Sequence, residues 1–103
     1  MPELPVNRPI ARTPTHPGEL MREILDDHLH FPITEAARRM KIPQPLLDAV
    51  LSGEQAVTAD LALRFGRLTG GAAELYLQMQ AQRDLWTARE KLKEALAQIE
   101  PAA

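Results

Sequence analysis

Between Ile33 and Gly53 the chain reads ITEAARRMKIPQPLLDAVLSG, and this spacing leaves few options for folding. Ile33, Ala36, Ala37 and Met40 stand at i, i+3, i+4 and i+7, on one face of a short helix whose small residues let a neighbouring helix approach closely. The KIPQP that follows stops this helix. Pro45 falls in the first turn of the next segment, where the N–H groups have no intrahelical partners and proline is tolerated. Leu46, Leu47, Val50 and Leu51 then supply a second buried stripe, so another helix is expected over about Gln44 to Leu51, ending at Gly53.

The flanks extend the pattern. In THPGELMREIL, Pro17 suits a first helical turn and Glu19 lies near the positive end of the helix dipole, which predicts a first helix over about Pro17 to His28. Leu20, Met21, Ile24 and Leu25 keep to its inner face, while Glu23, Asp26 and Asp27 stay wet. A fourth helix opens at Thr58, a capping residue followed by Asp60, turns Leu61, Ala62, Phe65 and Leu68 inward, and closes at Gly70 and Gly71. From Ala72 to about Ile99 no Pro or Gly intervenes, which predicts a fifth helix of roughly 40 Å. Residues 1–15 hold four of the nine prolines with Arg8 and Arg12 and show no period, as a flexible arm would. The expected plan is an arm over 1–15, a domain over 16–71 and a long helix over 72–103 that packs on the domain and in a dimer. Only Phe31, Phe65, Tyr76 and Trp86 are aromatic, so the core is built from Leu, Ile, Val, Met and Ala, and the fold class is all-α.

Two short helices joined by about three residues, with one helix before and one after, form a helix-turn-helix in which the third helix enters the major groove of DNA. A plain helical bundle has the same spacing, and periodicity leaves both open. The net charge of −2 is unlike the basic balance of most nucleic-acid-binding domains, so DNA contact must rest on a local patch. Arg38, Arg39 and Lys41 at the end of the second helix can hold backbone phosphates, or form a solvated helix face. Arg8 and Arg12 can reach a minor groove or belong to a loose tail.

Other function classes fare badly. There is no cysteine, hence no disulfide or thiolate site, and no signal-type or membrane-spanning apolar run; a cytoplasmic protein without a membrane partner is expected. His28 and His30 diverge on a helix and lack a third ligand, so they read as a helix end, with no metal or cofactor expected. No zinc-protease, phosphate-loop or nucleophile signature occurs and the only serine is Ser52, which argues against an enzyme.

At 100° per residue Ala73, Tyr76, Leu77 and Gln80 share one side of the last helix, while Leu75, Met79, Gln82 and Trp86 lie about 150° away. One side can meet the domain core. The second is expected to form a homodimer or partner interface, unless the helix folds back on its own core. Leu85, Leu92, Leu96 and Ile99 make a further narrow stripe, too short to define a coiled coil.

The chain resembles the HigA-type antitoxins of the Cro/lambda-repressor-like (XRE) helix-turn-helix family over about Thr15 to Arg89. The likeness is carried by HPGELMREIL, TEAARRM, TADLALRFGRLTGG and AELYLQMQAQRDLWTAR, in that order. It implies a five-helix lambda-repressor-like domain and a dimeric repressor of its own operon that binds double-stranded operator DNA and neutralises a RelE-like toxin. Departures gather in the third helix. Where the family often reads S-R-x-T-L-S-R-L-L-N-G, this chain has PQPLLDAVLSG, which keeps the apolar skeleton but loses both basic positions. Arg83 stands where the family has a tyrosine, and Pro32 replaces a serine cap. Thr34, Arg38, Arg39, Lys41, Gln44, Asp48 and Ser52 are the expected DNA contacts; Gln44 can pair with adenine and Asp48 with cytosine, although Asp48 also repels phosphate. The competing expectation is a protein interaction module of the same fold that has lost sequence-specific DNA binding.

Overall fold

The computed structural model describes residues 12–102, which are helical with no strand among them. The expectations for the arm, apart from Arg12 to Thr15, lie outside these residues, and Arg8 with them. The order is α1 (Pro17–Glu23), continuing into a π-wound stretch over Ile24–Leu29, then α2 (Ile33–Met40), α3 (Gln44–Leu51), α4 (Ala59–Thr69), α5 (Ala73–Lys91) and α6 (Lys93–Ala97). α1 packs on α3 and α5, α2 on α3 and α4, and α4 on α5. No helix is long and apolar enough to cross a membrane among the described residues.

α2 and α3 form because their stripes find one common core. Ala36, Ala37 and Met40 of α2 and Leu47, Val50 and Leu51 of α3 are buried against Met21, Leu25, Val57, Leu61 and Phe65. The Phe65 ring meets Tyr76 of α5 edge to face at 5.2 Å, which fixes α5 across α4. The contact of α1 with α3 depends on Gly18, because a Cβ there would lie 2.0 Å from the Val50 carbonyl oxygen. α4 starts as expected, with the Thr58 hydroxyl accepting from the Leu61 N–H at 3.2 Å, and ends on Gly70 at φ 79°. Pro32 gives α2 no side-chain cap.

The first helix runs to Leu29 rather than His28 and widens in its last turns. Continued α geometry would aim His28 at the core, three residues after buried Leu25. The wider turn leaves His28 exposed, turns Leu29 inward and ends on His30 in the left-handed region at φ 55°. The last helix is not continuous to Ile99 as the absence of Pro and Gly suggests. It breaks at Leu92 (φ −101°, ψ 13°), and α6 is a single short turn beyond. From Arg89 onward every residue described is exposed, so packing no longer holds the helical geometry and one residue outside the helical range ends the hydrogen-bond ladder.

His16 and Gln80 are the buried polar side chains of the described core, and both hold the loop between α3 and α4. His16 Nδ1 accepts from the Gly18 N–H at 2.9 Å and caps α1, while Nε2 lies 3.0 Å from the Gln55 carbonyl and donates to it. Gln80 Oε1 accepts from the Val57 N–H at 2.8 Å, and its amide nitrogen donates to Asp84 Oδ1 at 3.0 Å. Arg83, where the family has a tyrosine, donates from Nη1 to the Pro14 carbonyl at 2.8 Å and ties down the approach to α1.

Candidate nucleic-acid interface

α3 is seated by Leu47, Val50 and Leu51, so its remaining residues face outward. Pro43 is extended at ψ 138° and ends the turn, and Pro45 occupies the first helical turn without removing an intrahelical bond. Gln44 and Asp48 are exposed one turn apart, and Ser52, also exposed, follows at the end of the helix. The Ser52 hydroxyl donates to the Ala49 carbonyl at 3.1 Å, which leaves its oxygen lone pairs as acceptors. Thr34 is exposed in the first turn of α2. A recess of about 410 Å³ along α3 is lined by Arg22, Pro45, Asp48, Ala49, Ser52 and Glu54. Arg22 and Glu54 were not among the expected contacts. Arg22 supplies a cation that α3 itself lacks, and no local pattern marks it: the seating of Gly18 on Val50 brings α1 alongside α3.

The basic residues of α2 are less free than the sequence suggests. Glu35 Oε2 is 2.7 Å from Arg38 Nη2 and 2.7 Å from Arg39 Nε, one and the same carboxylate serving both. Hydrogen bonds from Arg38 and Arg39 hold the Glu35 carboxyl below its ordinary value, and the same pairing raises Arg38. Arg39 also lies 4.7 Å above the Phe31 ring. These pairs are solvent-exposed, so they orient the guanidinium groups without adding much stability. Lys41 makes no ion pair among the described residues and closes α2 in the left-handed region at φ 60°. Arg64 of α4 caps that end of α2, donating from Nη1 to the Met40 carbonyl at 2.8 Å and from Nε to Asp60 at 2.5 Å.

Arg38, Arg39 and Lys41 thus gather with Arg64, Arg67 and Leu68 around a recess of about 510 Å³. This recess shares no lining residue with the one along α3. Of the expected contacts, Asp48 and Ser52 are brought together on one recess and the three cations on another, while Thr34 and Gln44 line neither. Chemically, α3 offers an amide, a carboxylate and a hydroxyl, groups suited to base edges, and the cations offer a positive field without base preference.

On α5 the inner side expected from the sequence is covered: Tyr76 and Gln80 are buried, Ala73 and Leu77 partly so. On the second side Leu75 is 46% exposed, Gln82 is exposed, and Met79 and Trp86 are half-buried. Leu85, Leu92, Leu96 and Ile99 are all exposed.

The chain matches no protein-family model. It is 31% identical to an addiction module antidote protein of a HigA family from Coxiella burnetii, covering 87% of this chain and 99% of that one with a TM-score of 0.79. The Pseudomonas aeruginosa antitoxin HigA, solved with the higBA promoter, is 26% identical over 87% of this chain and 99% of its own, again with a TM-score of 0.79. Among sequence relatives, the uncharacterised helix-turn-helix-type transcriptional regulator YbaQ of Escherichia coli K12 is 26% identical over 95 residues, 90% of this chain and 84% of the relative. These relatives are regulators and antitoxins rather than enzymes.

Proposed function

Because the chain belongs to the HigA-type antitoxins of the XRE helix-turn-helix family, we propose that it is a cytoplasmic, DNA-binding autorepressor that also neutralises a RelE-like toxin. The observation that carries the regulatory part is α3 itself: a helix with a fully buried apolar seat and an outward row of Gln44, Asp48 and Ser52, in a fold shared with an antitoxin solved on a promoter. Gln44 pairs with adenine through N6 and N7, and Asp48 accepts from cytosine N4. Thr34 donates its hydroxyl to a phosphate oxygen and Ser52, its own proton engaged by Ala49, accepts from a base amino group, while Arg38, Arg39 and Lys41 attract the backbone, Glu35 holding the first two in fixed orientation. A homodimer closed through Leu75, Met79, Gln82 and Trp86 presents two copies of α3 to half-sites about 34 Å apart.

Family membership alone supports the toxin partner. Co-expressed with an adjacent RelE-like protein, the chain is expected to co-purify with it and block its ribonuclease activity. No complex at micromolar concentration would remove the antitoxin role and leave the regulator. One observation favours the second reading, an interaction module without operator specificity: the outward row of α3 holds no cation, and its recess carries Asp48 and Glu54 against Arg22. Under that reading the chain binds a protein partner yet treats promoter and random duplex alike.

A further inference from the structure

The cations at the end of α2 open onto a second groove, away from α3. Arg39, Met40, Lys41, Leu63, Arg64 and Arg67 line a recess of about 410 Å³, continuous through four of these residues with the basic recess that adds Arg38 and Leu68. Two properties set this surface apart. Its rim holds five cations, while Glu35 and Asp60, the carboxylates that pair with three of them, line neither recess. Lys41 and Arg67 make no ion pair with any described residue. Its floor is apolar, with Met40 at the bottom and Leu63, 65% exposed, standing among the cations.

We infer that this groove docks an acidic segment of a partner protein that carries a large apolar anchor. The carboxylates meet Lys41, Arg67 and Arg39, and the anchor covers Leu63 and Met40. A nucleic-acid backbone uses the cations but gains nothing from an exposed leucine, and it leaves the apolar floor wet. The exposed apolar tail of a second copy mixes Lys91 and Lys93 with Glu90, Glu94 and Glu100 around Leu92, Leu96 and Ile99, so it offers this rim fewer uncompensated carboxylates than an all-acidic segment does. The inference stands on the surface of α2 and α4 and does not require operator binding. Where the chain does bind an operator, Arg38, Arg39 and Lys41 serve both ligands, so the acidic segment competes with DNA.

The test is an amide NMR titration of the full chain with four probes: a helical peptide of Glu and Leu, the same peptide with Gln for Glu, oligoglutamate, and a short scrambled duplex. The Glu/Leu peptide is expected to bind at sub-millimolar concentration and to shift the amides of Met40, Lys41, Leu63 and Arg67. It should bind about tenfold more tightly than either the Gln peptide or oligoglutamate. Leu63→Ser and Arg67→Glu alter exposed residues that seat no helix, and each should weaken this peptide severalfold. Operator affinity, measured on the same proteins, should be indifferent to Leu63→Ser, so a failure of the groove and a failure of operator binding are separate results. The inference is overturned if the Glu/Leu peptide does not bind, if the Gln peptide equals it, or if oligoglutamate and duplex bind as well and Leu63→Ser changes nothing. That last pattern would mark a phosphate-binding face.

Discussion

His16 is one of the two buried polar side chains of the described core that hold the loop between α3 and α4. Its ring must be neutral, with Nδ1 bare to accept from Gly18 and Nε2 protonated to donate to Gln55. Burial pushes the imidazole below its ordinary value, and Arg83 acts in the same direction against the Gln55 carbonyl, Asp84 and Glu19. The unfolded chain therefore binds this proton at higher pH than the folded one. The stability contributed is complete above about pH 6.5 and is lost as pH falls through the lower, folded value. The thermal midpoint of the wild type is expected to drop more steeply from about pH 7.5 to 5 than that of His16→Asn, whose amide accepts and donates without titrating. Parallel profiles would show that His16 does not control acid stability. Sequence reading weighs His28 and His30 only to set them aside as a helix end and gives His16 no role, because the partner of His16 lies 39 residues away. Glu35 teaches a milder version of the same lesson. Its i+3 and i+4 spacing to Arg38 and Arg39 is plain in the sequence, yet reading the arginines alone as phosphate holders overlooks that one carboxylate already engages both.

α2 and α3 lie where the apolar spacing and the KIPQP stop put them, because each buries one stripe and proline punctuates the joint, although Leu46, expected in the α3 stripe, is exposed. The π-wound end of α1 and the break at Leu92 were not legible: the first answers to which of His28 and Leu29 the core accepts, the second to the place where packing on α5 ends. α5 is more than a cover, since Gln80 satisfies the buried Val57 N–H and so fixes the loop that leaves α3. Gln80→Leu removes that acceptor and leaves a buried donor unpaired, which costs about 1–3 kcal/mol. Urea melts should show the loss as a lower midpoint with an unchanged slope. An unaltered midpoint would mean that the loop satisfies Val57 by another route. Gln80 was assigned to the inner side by helical phase alone, but its partner could not be, because Val57 belongs to a loop without periodicity.

For the whole molecule, the exposed second side of α5 argues for a dimer. Leu75→Glu introduces a charge on a residue already 46% exposed, so the folded monomer tolerates it, while burial across a dimer interface does not. Light scattering should give about twice the 11.5 kDa chain mass for the wild type at tens of micromolar and a shift toward monomer for the variant, with helical content unchanged by circular dichroism. A monomeric wild type would sink the dimer. The family and fold were readable from four ordered segments; the separation of the cations from α3 was not, since it depends on how α4 crosses α2. That separation bears on the central claim, that α3 reads an operator with few charges of its own. The direct measurement is a salt titration of the purified protein against its own promoter and a scrambled duplex of equal length, with Lys41→Ala and Gln44→Ala alongside. The promoter is expected to win at every salt concentration. Lys41→Ala should weaken both duplexes alike and reduce the salt slope by about one, while Gln44→Ala should relax preference at one base position. Equal binding of promoter and scramble by the wild type at every salt concentration would contradict the claim.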